Sequence, residues 1–347
     1  MGTLLSYSGL STKIRAMESQ LINTEQLQEI VEMTNESQIV SYLKKQPGYA
    51  RLWADLDENA VKCGIIEQHL QQTIYQNFTK IYRFANAGQK RFLDMYFRRY
   101  EMSVLKDCLR NLLDHREITL DLSRFEPFFN RHSKLKLPKL TECTAIPQFV
   151  EALSDSVFYP LLHQMANSGE DLLVFDYGMA LDQFYFAQIW KMKNKFFTGR
   201  DLKEITMAYG QKFDLINLTW IYRARKYYHM NEDTVFTMLI PMHYHLSLEE
   251  IQALVQAKTE EEFESLLRKT YYGRRYEEVT AKDLEPAYTE LMRSLLKREA
   301  SRHPHSVIIM YSYLYQKEHE VRRLTTAVQC VRYGVPAQEA MRHVLRS

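Results

Sequence analysis

The chain has 347 residues, 46% of them apolar and 25% charged, which supplies buried cores and is ordinary for a soluble protein. Forty-five Lys and Arg nearly balance 43 Asp and Glu, so a net charge of +2 leaves no strongly basic footprint for nucleic acid. Only 11 Gly and 9 Pro are present, too few turn residues for a sheet-rich fold of this length, and the composition points to helices.

In chain order, Asn35-Glu-Ser-Gln38 is the first helix-start signal, a weak form of the capping pattern. It leads into Ile39-Val-Ser-Tyr-Leu43, and Tyr49 follows after Pro47. Apolar periodicity then predicts a longer helix from Ile65 to about Ile81. The segment Tyr96-Phe-Arg-Arg-Tyr100-Glu101-Met102-Ser-Val-Leu105 predicts another.

The same order then recurs. Beyond Pro138, Phe149-Val-Glu-Ala-Leu153 leads to Tyr159, and a long helix is predicted from Leu172 to about Trp190. Tyr209-Gly-Gln-Lys-Phe213-Asp214-Leu215-Ile-Asn-Leu218 follows, trailed by Arg223, Arg225 and Lys226. After Pro241, Ser247-Leu-Glu-Glu250 and Thr259-Glu-Glu-Glu262 read as capping boxes, in which side chain and backbone satisfy each other reciprocally at a helix start. Ile251, Leu254 and Val255 keep the helical step, and Phe263-Glu-Ser-Leu-Leu267 leads to Tyr272. A helix from Leu284 to about Leu296 precedes Tyr315-Gln-Lys-Glu-His319-Glu320-Val321-Arg-Arg-Leu324, and Pro336 lies beyond its end.

Two motifs therefore share one period. The acids Glu101, Asp214 and Glu320 are spaced by about 113 and 106 residues, and the motifs ending at Tyr49, Tyr159 and Tyr272 by about 110 and 114. A period of about 110 is far above the 34 to 47 residues of the common short helical repeats. The expectation is an all-α chain of three tandem homologous helical domains: 1–118, 119–232 and 233–347.

Catalytic signatures are missing from the sequence. It contains no GxxxxGK[ST] or GxGxxG phosphate loop and no GxSxG nucleophile elbow, so neither a catalytic site nor a bound cofactor is expected. Cys63, Cys108, Cys143 and Cys330 are far apart, which argues against zinc and disulfides and fits a reducing cytosol. His243 with His245, and His303 with His305, would point apart on a helix, and no carboxylate is read at a metal-site spacing, so no metal is expected. No signal peptide is read at the N-terminus. The most apolar stretch, Val307-Ile308-Ile309-Met310, is far short of the roughly 20 residues of a membrane span.

The third copy, running from Tyr315 through Leu324 to Tyr333-Gly334-Val335-Pro336, resembles the closing helix of the C-subunit family of archaeal and bacterial V-type (A/V-type) ATPases. In eukaryotic vacuolar ATPases the counterpart of that family is the d-type subunit. Phe213-Asp-Leu-Ile-Asn-Leu218, with Arg223 and Arg225, is similar to the family's Asp-x-x-Asn-Leu segment and its trailing basic residues. The stretch from Tyr7 to Leu21 is similar to its opening helix. Arg323 stands where the family commonly has Asn, and Val104 holds that place in the first copy.

The resemblance covers the whole chain and implies a funnel-like, non-catalytic subunit on the cytoplasmic face of the membrane. It would join the central-shaft subunits to the membrane rotor ring, without a membrane span of its own and as a monomer when isolated. The coupling ion, H⁺ or Na⁺, would be set by the ring. Glu101, Asp214 and Glu320 would either line the funnel and meet basic residues of the shaft, or make pairs and caps inside the fold. Arg223, Arg225 and Lys226, and the pair Arg322-Arg323, read equally as interface residues or a solvated face. The reading from a different class is a helical adaptor unrelated to ATPases.

Overall fold

The structure is a computed structural model that describes residues 2–58, 64–118, 125–169 and 172–347, with side chains from Ser6 onward. Cys63 and the expected start of the second copy at 119 lie outside the described residues. Among the described residues there are nineteen helices and no strand, so the all-α class holds. The chain divides into two compact units, one formed by Met1–Asn86 with Thr289–Ser347 and the other by Ala87–Tyr288.

The first unit joins the two ends of the chain. Its N-terminal part holds α1 (Gly2–Glu18), α2 (Thr24–Val31), α3 (Glu36–Lys45), α4 (Ala50–Trp53) and α5 (Ile65–Phe84). Asn23 caps α2 with a full capping box, and Asn35 caps α3 by accepting from the Gln38 N–H at 3.0 Å. The C-terminal part holds the later turns of the helix Leu284–Arg302, then Ile308–Arg332 and Ala337–Arg346. The helix Ile308–Arg332 is buried over most of its length, with Lys317, His319 and Glu320 among its buried residues. Its N-terminal run from Ile308 to Tyr315 is buried throughout, as expected of a central core helix. It packs against α1, α2, α3, α5 and Ala337–Arg346. The Val307–Met310 stretch is thus the start of a core helix, and no described helix is long and apolar enough to cross a membrane.

The second unit opens with α6 (Ala87–Leu113), followed by α7 (Glu126–His132), α8 (Leu137–Thr141), α9 (Ile146–Ala152) and α10 (Tyr159–Ala166). Then come two long helices, α11 (Val174–Phe196) and α12 (Gly199–Lys226). Four short helices follow: α13 (Glu232–Met238), α14 (Leu248–Gln256), α15 (Glu260–Lys269) and α16 (Tyr271–Arg275). The last three helices of the chain, given above, are α17, α18 and α19. Ser247 makes the expected full capping box at α14. At α15 only half of it forms, because Glu262 reaches past the N-cap to the Lys258 N–H at 2.8 Å. Pro138 stands in the first turn of α8, where its missing N–H has no partner to lose.

Equivalent residues of the three sequence copies are buried alike. Tyr96, Tyr209 and Tyr315 are buried, and Leu105, Leu218 and Leu324 are fully so. The three helices that carry them each pack on elements beyond the neighbouring turn of chain. α6 packs on α9 and α11, α12 on α13 and α14, and α18 returns to α2, α3 and α5 at the start of the chain.

Candidate functional site

The repeated acids are where sequence and structure meet most closely. Each lies on a long helix and reaches the chain just before a short helix begins. Asp214 on α12 is fully buried and accepts from the Tyr244 N–H at 2.9 Å, the His245 N–H at 2.6 Å and the Tyr272 hydroxyl at 2.8 Å. The first two donors immediately precede the Ser247 cap of α14. Burial pushes the Asp214 carboxyl above the ordinary aspartate range while these donors pull it down. Gly210, one turn earlier, lets this loop come close: a Cβ there would meet the Tyr244 side chain at 2.6 Å.

Glu320 on α18 is buried and accepts from the Ile22 N–H at 2.6 Å, directly before the Asn23 cap of α2. Its second oxygen accepts from the buried Lys317 ammonium, which also donates to the Tyr49 hydroxyl at 2.9 Å and lies 4.3 Å from the centre of that ring. Glu101 on α6 accepts from the Ser133 hydroxyl, whose oxygen takes the Leu135 N–H at 2.9 Å just ahead of α8. Burial pushes its carboxyl up as well. Ile22, Leu135 and Leu246 are all buried beside these junctions. The acids thus fix how each short helix enters its core, and the positive end of the helix dipole favours them there.

The tyrosine of the second motif takes part twice and is replaced once. Tyr272 meets Asp214, and Tyr49 shares Lys317 with Glu320. Tyr159 instead donates to Glu151 at 3.2 Å, and Ser133 serves Glu101. The sequence reading missed Lys317 and Ser133. Lys317 had a signal, since it stands three residues before Glu320, a spacing at which helical side chains meet. Ser133 had none.

The basic residues divide into committed and uncommitted groups. Arg223 pairs with Glu285 at 2.6 Å in a half-exposed setting worth little to stability. Arg225 donates to the Met230 carbonyl at 2.9 Å and so helps close the C-terminus of α12. Lys226 bonds both oxygens of Glu260 at 2.9 Å. Arg322 is exposed, and the Nε of half-buried Arg323 is buried without a hydrogen-bond partner.

The histidine pairs are also placed. His245 stacks on Tyr271 with ring centres 3.8 Å apart. His303 corrects the expectation that no carboxylate stands at a metal-site spacing: Glu299 is four residues earlier on the same helix, and its Oε2 is 3.9 Å from His303 Nε2. Arg298 and Arg302 bond the same carboxylate at 2.9 and 3.3 Å.

In the second unit a cleft of about 340 Å³ opens among Lys106, Phe175, Asp182, Trp220, Arg223 and Tyr228. Phe175 and Tyr228 are well exposed there, and neighbouring Leu173 is 65% exposed. Lys106 and Asp182 pair across it at 2.6 Å.

A family model described as ATP synthase (C/AC39) subunit matches residues 10–343. The chain is similar to the C subunit of the A-type ATP synthase of Methanosarcina mazei, with 23% identity over 92% of this chain and 87% of the relative. It is also similar to the protein of the same description from Methanococcoides burtonii, at 22% identity over 93% and 89%.

Proposed function

Because the chain belongs to the ATP synthase (C/AC39) subunit family, we propose that it is a non-catalytic coupling subunit of a V/A-type rotary ATPase. It joins the central shaft of the ATP-hydrolysing head to the membrane rotor ring, and rotation passes through it while ions cross the ring. The chain acts as a peripheral component on the cytoplasmic side, held to the membrane by its partners. In this reading its three copies, 1–118, 119–232 and 233–347, are arranged as a funnel around the end of the shaft.

The observation that carries the proposal is the extent of the family match. It runs through residues 10–343, and the alignments with the A-type ATP synthase relatives take in nearly all of both chains. The internal geometry supports a body that bears load. A coupling part has to transmit torque without yielding, and buried, hydrogen-bonded acids at the helix entries supply stiffness. The repeated acids are assigned to that holding role. Contact with partners is assigned to exposed features, the aromatic cleft of the second unit and Arg322 with Arg323, since large exposed apolar surface is a common mark of partner sites.

Affinity purification of the tagged chain from its own cells tests the assignment. The expected outcome is recovery of the nucleotide-binding subunits of the ATPase. Recovery of an unrelated set of proteins without them would favour the adaptor reading.

A further inference from the structure

One end of the second unit gathers positive charge. The thirteen residues from Lys191 to Lys203 carry five cations, Lys191, Lys193, Lys195, Arg200 and Lys203, against the single acid Asp201. The whole chain is only +2, so the rest of it is net negative. These residues form the last turns of α11, the link through Phe197 and Thr198, and the first turns of α12. The start of α6 lies beside them. Lys106 meets Asp182 at 2.6 Å, and Arg91, fifteen residues earlier on α6, lies 5.7 Å from the centre of the Phe196 ring, fourteen residues later on α11. The two helices therefore run antiparallel.

Aromatic rings seat these cations. Lys195 Nζ lies 5.8 Å from the centre of the same Phe196 ring that Arg91 meets, so charges from two helices flank one side chain. Lys191 stands one turn before Lys195, on the same face of α11. All three are exposed, and none forms an ion pair with a described residue. Lys193 is buried, with its ammonium 4.0 Å from the centre of the Trp190 ring and bonded to Asn194 Oδ1 at 3.1 Å. Burial holds that ammonium below the ordinary lysine range, and no acid offsets the effect. Trp190 and Phe196 are themselves half-buried. Unpaired cations on partly exposed rings suit a boundary where anions lie against an apolar layer.

We propose that this end of the second unit, with Arg91, Lys191 and Lys195 around Phe196, docks on the anionic headgroups of a phospholipid membrane. In the coupling reading, partners alone hold the chain at the membrane; here the chain itself touches it. A lipid surface presents many separate anions, as cations set on two helices require. Long Lys and Arg stems reach the phosphates while aromatic rings sit at the apolar edge. Each Lys or Arg near such a surface strengthens binding about fivefold, and salt screens the attraction.

The test is co-sedimentation of the purified full chain with vesicles, either pure phosphatidylcholine or equal parts phosphatidylcholine and phosphatidylglycerol. Wild type should bind the mixed vesicles and leave the neutral ones, and binding should be lost at about 0.5 M salt. K191E/K195E should bind at least tenfold more weakly and R91E at least about fivefold. A charge-matched control on two exposed lysines of the same unit, K134E/K139E, should match wild type. Thermal melting checks each variant, and if K191E/K195E does not fold, K191Q/K195Q carries the comparison. No binding to the mixed vesicles, or an equal loss in the control, would overturn the membrane docking. Binding of a labelled hexaglutamate peptide through the same residues, without binding to vesicles, would assign the surface to an acidic protein partner and overturn it too. Each of these failures leaves the coupling role intact, because the vesicles hold no ATPase.

Discussion

The Tyr272 hydroxyl donates to Oδ2 of Asp214 at 2.8 Å, bringing together residues 58 positions apart in the chain. Both are fully buried. The bond joins α12 to the start of α16, and the backbone N–H groups of Tyr244 and His245 hold the same carboxylate.

Removing one donor from this node should be measurable. Y272F should lower unfolding free energy by about 1–2 kcal/mol, and D214N by about 2–4 kcal/mol, since an amide turns one donor towards another and bonds to a charged acceptor are the strong ones. The double variant should lose less than the sum of the two, by about 0.5 kcal/mol or more. Urea unfolding of the four proteins measures this, and strict additivity would mean that the two side chains do not act together.

The Lys317–Glu320 pair makes a sharper demand. Both side chains are buried, and the ammonium has Tyr49 as its other partner. K317M leaves a buried carboxylate with only neutral donors, the Ile22 N–H and the Tyr49 hydroxyl, so it should destabilise by about 3–5 kcal/mol. K317M/E320Q, with no charge left to strand, should recover part of that loss. A double variant less stable than K317M would contradict the pairing.

The recurring acid and the recurring Leu were legible from their spacing, and the structure uses each alike: the acids bond the chain ahead of a helix entry, and the leucines are buried. The long helices were legible too. Ile65 to about Ile81 and Leu284 to about Leu296 fall inside α5 and α17, while the helix expected from Leu172 starts at Val174. The partners of the acids were not legible, because they are backbone N–H groups or hydroxyls. Every residue carries an N–H, and nothing in the sequence marks Ser133 or Ile22 as the one in reach. The packing partners of the long helices were hidden for a similar reason, since periodicity does not say which neighbour a helix turns towards. Arg323 was visible only as a departure, and its lack of a partner is a property of the fold.

Stability should also depend on pH through His319. Burial, reinforced by Arg323, Arg322 and Arg293, holds its imidazole down to about 3 from an ordinary 6.5, with Glu290 opposing weakly. The unfolded chain takes up the proton first as pH falls, so this contribution is complete above pH 6.5 and is lost as pH drops towards 3. Asp214 and Glu101, held above the ordinary carboxyl range, act in the opposite sense, their protonation favouring the fold as pH falls. The variant that isolates His319 is H319F, which installs the ring that Phe213 supplies at the equivalent place. Between pH 6.5 and 4 the wild type should lose on the order of 2 kcal/mol more than H319F. Parallel stability curves over that range would show that His319 is not the group responsible.

The central claim is that this chain couples head and ring, and ion transport tests it most directly. ATPase vesicles are prepared from cells with and without the gene for this chain, and ATP hydrolysis and ATP-driven ion uptake are measured side by side. Loss of the chain should leave the head hydrolysing ATP and abolish uptake, and adding back the purified chain should restore uptake. Undiminished ATP-driven uptake in vesicles that lack the chain would contradict the account.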